Sequence, residues 1–157
     1  MEQRNTRVIA SRVGKVAVDP ASVVTFPHGL IGFERLRDFV LVDFKPGTPF
    51  RYLQSLERAE VGFLVADPFA FLGEYRIQVS SVEERILKVR SVRELVVLVL
   101  VTVPKGRPED TSLNLMGPLC LNVRERIGLQ VPQVGMQPTR VLLRDCGGES
   151  AVMARVG

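Results

Sequence analysis

Residues 95–104 read LVVLVLVTVP, and the first seven of them are all valine or leucine. At ten residues the run is about half of what a membrane-spanning helix needs, and it stops at a proline. Its valine content favours an extended chain. A strand that is apolar on both faces has to be covered on both faces. The run therefore predicts a central β-strand with packed material on either side. The rest of the chain has to supply those layers.

It supplies them mainly as more strands. Short segments rich in Val, Leu, Ile and Phe recur with turn residues between them, which is the spacing of an all-β domain. VIASRVGKVAV reads as strand, Gly14 turn and strand, and VVTF as a short strand running into Pro27. FVLVDF is a strand stopped by KPGTP, FRYLQSL alternates as if half-buried, and VGFLVAD is stopped by Asp67-Pro68. YRIQV reads as a further strand. TSLNLMGPLCLNV reads as two extended pieces broken at Gly117-Pro118, RERIG as a hairpin turn, and LQVPQV as the strand after it.

Helices are few. FERLRDF is expected to make about two helical turns. SSVEERILKV is the best candidate, with Ser80 or Ser81 as cap and Glu83 or Glu84 three residues on. Strand and helix alternate too sparsely for a doubly wound sheet. A small closed or folded antiparallel β-barrel with one or two short helices is the expected fold, because closure removes edge strands.

The 157 residues fit one domain, taken as 1–157. A domain of this size can bury roughly 68–70% of the surface its unfolded chain exposes, so it needs no staples. Only 6% of residues are aromatic and none is Trp, which leaves the core to Val, Leu and Ile. Two cysteines rule out a disulfide framework, and with a single histidine they leave no zinc-ligand set. Cys120, inside an apolar run, is expected to be a buried small hydrophobe. Cys146, before two glycines, is expected in an exposed tail, and the chain from about 147 to 157 is expected to fray. The polar N-terminal stretch has no apolar signal-peptide core. A soluble, reduced, cytoplasmic protein is expected, with no membrane partner.

The net charge is +4 with pI ≈ 9.5, but lysines and arginines are scattered rather than gathered into a tract. A solvated basic face is the plain reading. A basic barrel that binds RNA directly is the alternative.

Catalytic patterns are missing. The only histidine, His28, has no nucleophile and orienting carboxylate arranged around it, and no nucleophile elbow, phosphate loop, dinucleotide fingerprint or HExxH is present. No catalytic residue, cofactor or metal ligand is expected. FPHGLIGFE instead has the composition of a packed corner: Pro27 fixes φ, Gly29 and Gly32 permit φ > 0, and Leu30, Ile31 and Phe33 anchor it. In VADPFAFLGEYR, Asp67 starts a turn, and Phe69, Phe71 and Tyr75 fall close together beside Arg76. These aromatics either plug a barrel end or anchor a protein partner. Asn114 and Asn122, inside apolar strands, are expected to tie loops or bulges to the sheet.

The blocks VVTFPHGLIGFE, PFRYLQSLE, VGFLVADPFAF, LVVLVLVTVP, TSLNLMGPLCLNV and IGLQVP stand in one order, and together they resemble the flagellar assembly factor FliW family from about Val23 to Val131. Phe26, Pro27, Gly29, Gly32, Phe33, Asp67, Pro68, Phe69, Asn114, Pro118, Asn122, Gly128 and Gln130 sit at the family's motif positions and read as fold-makers. The resemblance implies a barrel without a catalytic site, monomeric when free. It implies contacts with two protein partners in the cytoplasm, flagellin and CsrA, an RNA-binding repressor of flagellin translation. The two are expected to exchange: flagellin occupies the factor when it accumulates, and its export frees the factor to capture CsrA. This chain departs from the pattern in Ser112 and in its basic charge. Like charge slows encounter with a basic RNA binder, so either the contact patch is locally acidic or apolar, or engagement is weak. For the partner surface the segment carrying Phe69, Phe71, Tyr75 and Arg76 is the candidate.

Overall fold

The computed structural model describes residues 6–135 and 138–146. The strands are β1 (Arg7–Ser11), β2 (Gly14–Val18), β3 (Val23–Thr25), β4 (Asp38–Asp43), β5 (Phe50–Ser55) and β6 (Gly62–Ala66). They continue as β7 (Val96–Thr102), β8 (Ser112–Asn114), β9 (Leu119–Asn122), β10 (Ile127–Gln130) and β11 (Arg140–Leu142), with one α-helix, α1 (Ser81–Leu87).

The central-strand expectation for the apolar run holds. β7 pairs with β6 through Val99 and Leu100, with β9 through Val96, Val97 and Leu98, and with β8 through Val101 and Thr102. The β7–β9 pairing closes the order β7-β6-β5-β4-β3-β10-β9 into a seven-strand barrel. All of its pairings are antiparallel except a single parallel contact, Ile127 with Thr25. β8 and β11 extend the sheet beyond β7, and β1–β2 form a separate hairpin.

Side-chain alternation divides β7 between two cores. Leu98 faces the barrel interior with Val24, Phe26, Phe39, Leu53, Val65, Leu119 and Leu121. Val97 and Val99 face the other way, into a layer made with Phe50, Phe71, Tyr75, Leu113 and Leu143. Helix α1 covers a third patch with Leu87, over Cys120, Leu129 and Val131. Burial pushes the Cys120 thiol up to about 12, with a smaller push from the nearby Glu83 carboxylate, so it sits there as a hydrophobe.

The α1 cap is Ser80, whose Oγ accepts the Glu83 N–H at 3.1 Å while Glu83 Oε1 accepts the Ser80 N–H at 2.8 Å. Lys88 ends the helix in the left-handed region at φ 58. No helix among the described residues is long and apolar enough to cross a membrane.

Four local expectations are corrected. FERLRDF makes no helix, because turns consume its first residues: Phe33 exchanges both backbone bonds with Leu30, and the Glu34 carboxylate accepts the Gly32 N–H at 3.1 Å. YRIQV joins no sheet. A side-chain amide stands in for a neighbouring strand, with Gln133 accepting from Gln78 N at 2.8 Å and donating to Gln78 O at 3.0 Å. FRYLQSL is buried on both faces except at Arg51 and Leu56, since the β1–β2 hairpin lies against its outer side: Gln54 Oε1 accepts the Arg12 N–H at 3.1 Å, and Arg12 Nη1 donates to Gly62 O. Cys146 is buried in the second core next to Leu143 instead of lying in an open tail. The chain from 147 to 157 lies outside the described residues.

Candidate partner-binding site

The barrel has two unlike ends. At one, the chain leaves β3 through FPHGLIGFE and folds over the opening. Gly29 N donates to Phe26 O at 2.9 Å, which closes a turn around Pro27 and His28, and Gly29 itself has φ +64. The Leu30–Phe33 turn follows, with Gly32 at φ +88. Phe26, Leu30 and Leu36 drop into the barrel, where Phe26 meets Phe39 edge-on at 5.5 Å and Phe33 meets Phe63 at 5.2 Å.

Gly128 makes room for this plug: a Cβ there would stand 2.5 Å from the Phe26 ring. Gln130 latches it. Its Oε1 accepts the Ile31 N–H at 2.8 Å and its Nε2 donates to Gly117 O at 3.1 Å, joining the corner to the Gly117-Pro118 break. Asn122, at the far end of β9, donates to Leu87 O at 2.8 Å and accepts from Arg124 and Glu125, so one side chain ties α1 to the β9–β10 hairpin. Asn114 accepts the Met116 N–H at 2.9 Å in a local turn.

His28 sits exposed at the tip of its turn. No cluster of histidine, cysteine or carboxylate side chains suited to a metal occurs among the described residues.

The other end is open. β6 runs out at Asp67, which caps the short turn over Pro68–Ala70 by accepting the Phe69 N–H at 2.9 Å. This leaves Phe69 54% exposed, whereas Phe71 and Tyr75 are 6% and 7% exposed. Tyr75 donates its hydroxyl to Leu115 O at 2.9 Å, and burial raises its pKa well above that of a free tyrosine. Of the four candidate residues, Phe71 packs into the second core against Phe50, while the Phe69 and Tyr75 rings lie 6.2 Å apart and Tyr75 lines one cleft with Arg76. Phe69 lines a cleft of about 410 Å³ with Arg51, Val96 and Pro49. Arg76 lines another, of about 340 Å³, with Leu115 and Val141. A third cleft of about 290 Å³ adjoins the first through Arg51 and carries Val24, Leu41, Val123 and Arg126.

Sequence reading did not single out Arg51, Val96, Val123 or Arg126. Each is an ordinary strand or turn residue in its own segment, and only the order of the strands brings them together. Nor did it single out Gln54, fully buried, whose amide donates to Ser55 O, Ala59 O and Val61 O.

The pattern of the FliW protein family matches residues 7–141. This chain belongs to the FliW family. The flagellar assembly factor FliW of Nitratidesulfovibrio vulgaris (strain DP4) is 47% identical to it over 133 residues, covering 85% of this chain and 77% of the relative. That of Desulfovibrio desulfuricans is 43% identical over 143 residues, covering 89% and 86%. A crystal structure of the flagellar assembly factor FliW superposes with a TM-score of 0.78 at 29% identity, covering 87% of this chain and 96% of the other. The FliW match starts at Arg7, before the Val23 at which the quoted blocks begin, and so takes in the β1–β2 hairpin. The relatives are named as assembly factors, and no catalytic family is indicated.

Proposed function

We propose that this FliW-family chain works in the cytoplasm as a sensor of unassembled flagellin. It binds flagellin and CsrA in alternation: flagellin occupancy leaves CsrA free to repress flagellin translation, and export of flagellin returns the factor to CsrA. Its job is made of protein contacts, not of catalysis. The observation that carries this reading is the family match across 7–141, together with relatives named as flagellar assembly factors. The fold supports it as well, since Phe26, Gly128 and Gln130 seal one end of the barrel while the other stays open with exposed apolar side chains, Phe69 among them.

Direct RNA binding has less support. A single-strand binder stacks bases on exposed aromatics beside a basic groove, and among the described aromatic residues only Phe69 is largely exposed.

Size-exclusion chromatography of the three purified proteins tests the exchange. Flagellin is expected to shift into a complex with this chain and to drive CsrA out of it. One stable particle holding all three would overturn the exchange. A gel shift of flagellin leader RNA by this chain alone, weakening steeply with salt, would overturn the protein-only reading.

A further inference from the structure

We infer that the open end of the barrel is the docking site for flagellin, and that it receives a segment carrying apolar side chains next to a carboxylate. This rests on the flagellin-binding reading above.

The first observation is shape and polarity. The two clefts that meet at Arg51 open where the barrel interior reaches solvent, so their apolar side chains continue the core outward. Val96 is 38% exposed, Val123 57% and Phe69 54%, while Val24 and Leu41 line the floor below. Apolar groups left in water around a preformed cleft are what a partner's apolar side chains bury.

The second is charge. The cleft between Arg51 and Arg126 is lined by both cations and by no carboxylate, and the adjoining cleft carries one, Asp67, which accepts the Phe69 N–H. Arg51 has one ion pair among the described residues, from Nε to Asp43 at 3.5 Å, and Arg126 has none among them. Two guanidinium groups over an apolar floor complement a carboxylate carried beside apolar groups, and arginine meets a carboxylate through paired donors.

The third is the backbone at Arg126. It is the last residue of the β9–β10 turn and has φ 57. Asparagine or glycine enters that region more readily than arginine does. The hairpin therefore carries an arginine where turn chemistry alone would choose another residue, and that residue lines the cleft.

Titration calorimetry of the full-length chain with its cognate flagellin tests this, with a thermal melt of every variant. Arg126→Asn keeps a residue suited to φ 57, so its melting temperature is expected to be unchanged or higher, while flagellin affinity falls about tenfold. Arg51→Gln is expected to weaken binding similarly. Val123→Asp places a carboxylate in the mouth of an exposed turn and is expected to abolish measurable binding without unfolding the chain. Lys105→Gln, in the exposed loop after β7 at the sealed end, is expected to bind as the parent does. Parent-like affinity in Arg126→Asn, Arg51→Gln and Val123→Asp, while the parent binds, overturns the site and leaves the flagellin reading standing. A parent chain that binds no flagellin overturns both.

Discussion

The two ends of the barrel are built from different kinds of residue. The sealed end holds the conspicuous ones: Pro27, Gly29, Gly32, Gly117, Pro118, Gly128 and Gln130 meet there, and each has a geometric duty within the fold. The open end is made of valines and two arginines, which no local pattern marks, together with Phe69, which the Asp67-Pro68 turn does mark. In this barrel most of the distinctive residues make the scaffold, and apart from Phe69 the surface left for a partner is composed of unremarkable ones. Substitutions should therefore separate cleanly, with stability lost at the sealed end and binding lost at the open one.

The largest loss of stability is expected from Gly29→Val. The residue combines φ +64 with a Cβ position 2.6 Å from Glu34 Cα and Phe33 O, so strain and a backbone clash add. A loss of about 3 kcal/mol follows, read from denaturant unfolding. Gly32→Val has the strain alone, since nothing lies within 4 Å of its Cβ position, and about 1–2 kcal/mol is expected. Equal losses at the two positions would mean that the corner gives way and does not plug the barrel.

Gly128→Val is expected to cost about 2 kcal/mol, at least as much as Gly32→Val, because the added side chain meets the Phe26 ring and the Leu121 side chain in the core. Gln130→Ala removes two hydrogen bonds from partly exposed partners and is expected to cost about 1 kcal/mol. At the open end, Val123→Thr should stay within about 0.5 kcal/mol of the parent. If Val123→Thr cost as much as Gln130→Ala, the open end would be part of the scaffold too.

Legibility in the sequence followed the same division. The all-valine-and-leucine run gave away a central strand, because covering both its faces admits few solutions. The Ser80–Glu83 cap and the Gly14 and Gly117-Pro118 breaks were equally plain, since each depends on neighbours a few residues away. FERLRDF misled because its helical spacing was real, but the preceding turn had already claimed Phe33 and Glu34. YRIQV misled because its pairing partner is a glutamine side chain 55 positions away. Of the partner-surface candidates, one exposed and one buried aromatic look alike in a string of letters. Phe69 and Phe71 differ only in which side of the Asp67-capped turn they leave from, and the meeting of Arg51 with Arg126 depends on the neighbour order β5-β4-β3-β10, which no single segment shows.

The smallest effect concerns acid, and it compares one carboxylate at each end. Glu34 at the sealed end is held below the usual carboxylate range by the Gly32 N–H and its own backbone N–H. Glu94 at the open end is held low by the N–H groups of Arg90 and Ser91, then by Arg124. Both are solvent-exposed, so each contributes little. A folded-state pKa below the unfolded value near 4.5 gives stability that is present above pH 4.5 and is lost as pH falls through the folded value. Melting temperatures followed downward from neutral pH should therefore fall less steeply below pH 4.5 in Glu34→Gln and Glu94→Gln than in the parent. Flagellin binding above pH 4.5 should be untouched by Glu34→Gln, since that carboxylate braces a turn at the end of the barrel away from the proposed dock. A parallel acid profile for Glu34→Gln would show that the Gly32 turn holds without it, leaving the corner to its glycines and to Gln130.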